Sequence, residues 1–162
     1  MLRAIKVRLL QVLALYVPGA WSIRVWLHRW RGMRVGHDVF IGTDAMIETE
    51  HPERVWIGSR VTIGARCTII AHFRGARSGV TIEDDVFIGP GAIILPGVII
   101  RRGAVVSAGS VVTSAVPEMT VVQGNPARAV ARCGIPLSSR TPASEFYRKL
   151  RPLNSPQRIG GQ

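Results

Sequence analysis

The chain has 162 residues, a length that suits one domain able to bury a core without disulfides or a structural metal. Lys and Arg number 21 against 10 Asp and Glu, a net charge of +11, yet the excess lies at the ends: residues 1–34 carry seven basic side chains and no acid, residues 128–162 carry seven and one, and the stretch between is slightly acidic. That distribution disfavours a nucleic-acid-binding face on the centre, and Cys67 and Cys133 are too few for a disulfide framework or a zinc site, which suits a reducing cytoplasm.

Residues 1–34 read as two helices split by Pro18-Gly19. The opening stretch imitates a signal peptide, but Arg24, Arg29 and Arg31 follow it, and Leu9 to Val17, interrupted by Gln11, falls well short of the ~20 apolar residues a membrane span needs. In the second helix Ile23, Trp26, Leu27 and Trp30 share one side while Arg24, His28 and Arg31 fall on another, a pattern suited to an anionic membrane surface. The competing reading is that these helices cap the open end of the structure that follows.

From residue 35 an aliphatic side chain returns every sixth position: Val35, Ile41 and Ile47, then Ile57, Ile63 and Ile69, then Ile82, Ile88, Ile94, Ile100, Val106 and Val112. Four residues after each stands a mostly small side chain, such as Ala45, Cys67, Ala92, Ala104 or Ser110, with His51 and Phe73 as the departures. A six-residue period with glycine often beside the aliphatic is not helical. It predicts short strands joined by tight turns, three to a coil, in an all-β solenoid of about four coils at 35–56, 57–81, 82–99 and 100–117. The register breaks from Ile47 to Ile57 and from Ile69 to Ile82, each time after the third strand of a coil, so both extra loops and both histidines, His51 and His72, fall at one corner. In a solenoid with tight turns elsewhere, such loops are where a site is expected. Phe40, Met46, Phe87, Ile93, Ile99, Val105 and Val111, each just before a core aliphatic, make an outward stripe too apolar for water, for which a ring of three subunits is the natural cover. Residues 133–162, rich in proline and basic side chains, predict a loosely ordered tail with one short helix near 144–150.

The run Val80-Thr81-Ile82-Glu83-Asp84-Asp85-Val86-Phe87-Ile88-Gly89, followed by Ile94-Leu95-Pro96-Gly97, Ala108-Gly109-Ser110-Val111-Val112-Thr113 and Gly124-Asn125-Pro126-Ala127-Arg128, resembles the hexapeptide-repeat O-acetyltransferases, the group of maltose, galactoside and exopolysaccharide acetyltransferases. The likeness spans residues 35 to about 132 and implies a left-handed parallel β-helix, a homotrimer, acetyl-CoA as cosubstrate, no metal, and a saccharide acceptor.

By that resemblance the catalytic base is the histidine at the mouth of the extruded loop before Val80, which is His72. Its chemistry agrees, since imidazole titrates in the range needed to take a proton from an acceptor and return it to a thiolate. Asp44 and Glu50 correspond approximately to acceptor-binding positions, and His51 either lines the acceptor pocket or occupies a loop turn. Glu50 sits one coil below His72 at the same repeat position, where a carboxylate either orients the imidazole or binds a hydroxyl, and all three also read as ordinary turn residues. For acetyl-CoA the resemblance points to Pro90, Ala108, Thr113, Ser114 and Arg128, the last pairing with phosphate through its guanidinium fork. Ser114 stands where the family commonly has lysine, and Arg101-Arg102 replaces a usual Gly-acid turn.

Three readings remain at the sequence level: sugar O-acetyl transfer, N-acyl transfer to an amino sugar or small drug-like molecule, and a noncatalytic membrane-associated trimeric scaffold. The expected location is cytoplasmic, with peripheral contact at the inner membrane face left open.

Overall fold

The computed structural model describes residues 2–73, 79–138 and 141–153. Helices α1 (Leu2–Tyr16) and α2 (Ile23–Trp30) precede a parallel β-solenoid with three walls. The first wall stacks β1 (Arg34–Val35), β4 (Val55–Ile57), β7 (Val80–Ile82) and β10 (Ile99–Ile100). The third stacks β3 (Met46–Ile47), β6 (Thr68–Ile69), β9 (Ile93–Ile94) and β12 (Val111–Val112). The second stacks β2 (Phe40–Ile41), β5 (Thr62–Ile63), β8 (Phe87–Ile88) and β11 (Val105–Val106), then continues beyond the expected last coil into β13 (Thr120–Gln123) and, antiparallel, β14 (Arg128–Cys133) and β15 (Leu150–Pro152).

Pairing is in register along the aliphatic columns: Ile47 against Ile69, Ile69 against Ile94, Ile94 against Val112, and correspondingly on the other walls. Eleven of the twelve periodic aliphatics are buried, Val35 at the first rung only partly, and the small residues four positions later are buried with them. Each regular corner turns on a left-handed residue three positions after the aliphatic: Asp38, Asp44, Arg60, Arg66 and Asp85 early, Gly91, Gly97, Gly103 and Gly109 later. The small residues beside them are set by the stacking itself. A Cβ on Gly64 would lie 2.5 Å from the backbone nitrogen of Pro90, and one on Gly89 2.5 Å from that of Ala108.

The helices close the first rung with three arginines. Arg29 donates to the carbonyls of Val35 (3.1 Å) and Gly36, Arg24 to that of Ile41 (2.8 Å), and Arg31 to those of Ile47 (3.0 Å) and Glu48, so each strand edge of the rung receives one guanidinium. The basic side of α2 is therefore turned inward as part of the cap: Arg24, His28 and Arg31 are buried, and Ile23, Trp26 and Trp30 face out, while Leu27 packs against α1. Terminal guanidinium donors that meet strand carbonyls draw the arginines into the interior, which hydropathy alone does not register, although Arg31 Nε and His28 Nε2 are left without a hydrogen-bond partner.

The region expected as a loose tail is in its described part a packed unit. Helix α3 (Ala143–Arg148) and the β13–β14–β15 strands enclose Phe146, Cys133, Ala131, Val121 and Val105, with Phe87 packed alongside. Two residues of the outward stripe, Phe87 and Val105, are thus covered within the chain rather than by another subunit. Residues 139–140 and 154–162 lie outside the described residues, as do 74–78 of the second inserted loop.

Candidate active site

His72 stands at the corner between the third and first walls, three residues beyond the end of β6, with its side chain 32% exposed. Its Nδ1 lies 2.8 Å from Oε2 and 2.9 Å from Oε1 of Glu48, a side chain with no solvent exposure. Glu48 is the residue after core Ile47, a position that several other hexapeptides of the chain give to glycine (Gly42, Gly58, Gly64, Gly89), and its φ of 28° moves the left-handed turn two positions earlier than at regular corners. That conformation swings the carboxylate inward and up one rung.

Once there, Glu48 accepts the backbone N–H groups of Glu50 (2.9 Å), His51 (3.0 Å) and Ala71 (2.8 Å). Burial pushes its carboxyl up, but the N–H of His51, the His72 ring and the N–H groups of Glu50 and Ala71 outweigh it and hold the group down at about 2. Glu48 is ionised at neutral pH and keyed to the imidazole. Beneath it, Arg31 also donates to Gln11 and meets His28 Nδ1 at 2.9 Å. Burial, and then Arg31 and Arg24, take His28 down to about 3; burial also lowers Arg31 to about 10 against the opposing pull of Glu48. The helical cap is thereby continuous with the support of the His72 corner.

The sequence singled out Glu50 as the carboxylate nearest His72. The structure puts Glu50 on the opposite ring nitrogen, Oε2 to Nε2 at 3.7 Å, half-exposed and also 3.5 Å from Arg8. The six-residue pattern does not single out Glu48, the residue on Nδ1; its signal is an acid, at the mouth of an inserted loop, in a position that several other hexapeptides give to glycine. His51 stacks edge-on to His72 with centroids 5.5 Å apart and meets Glu53 at 3.3 Å. Asp44 is not part of this cluster. It sits at the other end of β3, its N–H donated to Leu15 and its carboxylate 4.0 Å from Arg66.

Two hollows flank the imidazole and share Thr49. One, of about 130 Å³, is lined by Met46, Glu48, Thr68, Ile70 and His72. The other, of about 280 Å³, lies between α1 and the inserted loop and is lined by Ala4, Val7, Arg8, Glu50 and His51. A larger groove of about 440 Å³ at the far end of the solenoid gathers Thr113, Ser114 and Arg128. Thr113 follows β12, two rungs above β6 on the same wall, so this groove opens on the corner column of His72, about 10 Å along the stack. Pro90 and Ala108 stand instead at the opposite edge of the third wall, where Gly109 donates to the Pro90 carbonyl at 2.9 Å. Cys67 is fully buried, its thiol donating to Gly89 and pushed up to about 11 by burial, so no nucleophilic thiol faces the site.

The family profile described as the hexapeptide repeat of succinyl-transferase matches residues 79–114. A maltose O-acetyltransferase from Clostridium difficile superimposes with a TM-score of 0.60 at 25% identity, over 80% of this chain and 87% of that one. The chain carries a hexapeptide repeat and shares the fold of hexapeptide-repeat acetyltransferases. Other acetyltransferases of known structure share its fold: a hexapeptide-repeat-containing acetyltransferase from Vibrio cholerae at TM-score 0.62, 24% identity, 81% of this chain and 90% of that one, and the serine acetyltransferase of Neisseria gonorrhoeae at 0.56, 28%, 88% and 55%. No curated protein sequence matches.

Proposed function

We propose that this acetyltransferase moves an acetyl group from acetyl-CoA to a hydroxyl of a sugar or polysaccharide precursor, with His72 as general base. The observation that carries the reading is the Glu48–His72 pair. A buried, ionised carboxylate on Nδ1 keeps the proton there, leaves Nε2 with its lone pair toward the hollows, and balances the charge of the imidazolium that forms when Nε2 takes a proton. Glu50, on the Nε2 side, is placed to accept a hydrogen bond from an acceptor hydroxyl, and His51, Thr49 and Arg8 complete a polar rim suited to a polyol.

Acetyl-CoA supplies an acyl group activated as a thioester. The Thr113, Ser114 and Arg128 groove fits its phosphorylated, elongated remainder, offering hydroxyls and a guanidinium at one end of the His72 corner. After transfer, Nε2 returns its proton to the departing thiolate. A relative from Vibrio cholerae, crystallised with acetyl coenzyme A, supports this cosubstrate. The two walls that meet at the His72 corner keep apolar outward residues, Met46, Ile93 and Val111 on the third and Trp56 and Ile99 on the first. We assign these to contacts in a homotrimer, which would set the corner beside a neighbouring subunit.

The test is CoA release measured across sugars, alditols and amino sugars, for the wild type and for His72→Ala. Hydroxyl acceptors support turnover, and the variant folds but loses roughly two to four decades of rate. Full activity in His72→Ala, or turnover with amines alone, overturns the reading.

A further inference from the structure

The N-terminal cap is built inside out relative to its sequence pattern. Its polar residues Gln11, Arg24, His28 and Arg31 are buried, while Leu2, Ile5, Leu9, Val12, Leu13 and Tyr16 of α1 and Ile23, Trp26 and Trp30 of α2 are exposed, Leu9 by 58% and Trp26 by 54%. At about 100° per residue, the exposed residues of α1 form one stripe opposite the buried Val7, Leu10 and Ala14, with Lys6 on one flank and Arg8 on the other. The α2 stripe follows i, i+3, i+7 spacing, its tryptophan rings 4.9 Å apart, and joins the first through Lys6, whose Nζ lies 4.7 Å over the Trp30 ring.

We propose that this continuous face docks the enzyme on an anionic bilayer surface. Three features select that occupant. The exposed apolar area is continuous over two helices and includes two tryptophans and a tyrosine, side chains whose amphipathic rings settle at the headgroup level. The charge around it is mainly basic: residues 1–34 carry no acid, Lys6, Arg29 and Arg34 are exposed there, and of the exposed arginines of α1 Arg3 pairs with Glu53 and Arg8 with Glu50 of the inserted loop. A second copy meeting this face would set one basic surface against another, whereas anionic headgroups complement it. Finally, no described helix is long and apolar enough to cross a membrane, and α1 with its stripe lies along the end of the solenoid, the geometry of a helix resting in the interfacial plane. This assignment is independent of the acceptor and of the role of His72.

The full chain, sedimented with vesicles of phosphatidylcholine alone or mixed with phosphatidylserine, is expected to bind the mixed vesicles, to release from them as salt rises, and to blue-shift its tryptophan emission on binding. Leu9→Ser/Trp26→Ser should weaken binding by roughly tenfold or more with unchanged circular dichroism and unchanged acetyl transfer to a soluble acceptor, and Lys6→Glu should weaken it in a salt-dependent way. Binding that ignores lipid charge, or that survives Leu9→Ser/Trp26→Ser, overturns the proposal. So does a lipid-free increase in mass that the same double substitution abolishes, which would give the face to a second copy of the chain.

Discussion

At its first rung the solenoid is closed by guanidinium groups that donate to strand carbonyls, and toward its last rungs by an apolar hairpin and helix laid over the second wall. Both arrangements deal with the same difficulty, a sheet whose edge or outer face has nothing to pair with. The polar closure, unlike the apolar one, is directional: Arg31 fixes the carbonyls on either side of the turn at which Glu48 leaves the regular path, so the means of capping the fold also holds the residue behind His72. The apolar closure covers area and, through Arg128 at the start of β14, borders the far groove, but it donates nothing to the His72 corner.

The difference is most sharply tested at Glu48. Glu48→Gln keeps the shape but removes the charge opposite the imidazole, and should lower turnover by roughly two decades or more while leaving the acetyl-CoA dissociation constant unchanged; comparable rates for variant and wild type would show that the pair is merely structural. Phe146→Ala, at the other closure, should cost about 3–5 kcal/mol of stability in denaturant melts while the remaining folded enzyme keeps its turnover. Arg31→Met is expected to do both in smaller measure, destabilising by about 1–3 kcal/mol through the carbonyls it leaves unpaired and slowing turnover through Glu48. If it shifts only stability, the cap and the site are not coupled.

Acid separates the two closures further. His28 is held at about 3 in the fold and returns to its ordinary 6.5 when unfolded, so the unfolded chain binds a proton the folded one refuses and stability falls as pH drops through that window. Glu48, at about 2 in the fold against 4.5 unfolded, acts in the same sense at lower pH. Melting temperature should therefore decline from about pH 6.5 downward. His28→Leu should flatten the upper part of that decline, a result that wild-type-like pH dependence of the variant would contradict. The smallest expected effect is at the exposed carboxylate: Glu50→Gln should raise the Michaelis constant for the acceptor less than about tenfold with little change in turnover, the mark of a binding contact rather than a proton relay.

The aliphatic columns were legible in the sequence because burial on the inside of a narrow prism depends on little but size and period, and Ile47, Ile69, Ile94 and Val112 stack as their spacing requires. The corner was legible too, since insertions can leave such a stack only at a turn. Glu48 was not, because its role follows from a backbone turn displaced by two residues, which periodicity averages away. Nor was the orientation of α2: a helical wheel separates Arg24 and Arg31 from Trp26 and Trp30 but cannot tell which side is inner when strand carbonyls await donors there. Phe146 and Cys133 escaped for a simpler reason, as they pack on the outside of a wall, where the six-residue rhythm carries no information.

Because each coil adds a fixed rise of about 4.8 Å, the separation between His72 and the Thr113–Arg128 groove is counted in whole rungs rather than adjusted continuously. The solenoid is in this sense a ruler graduated in single steps, and the reach it demands of a flexible arm spanning those two points changes only when a whole coil is gained or lost.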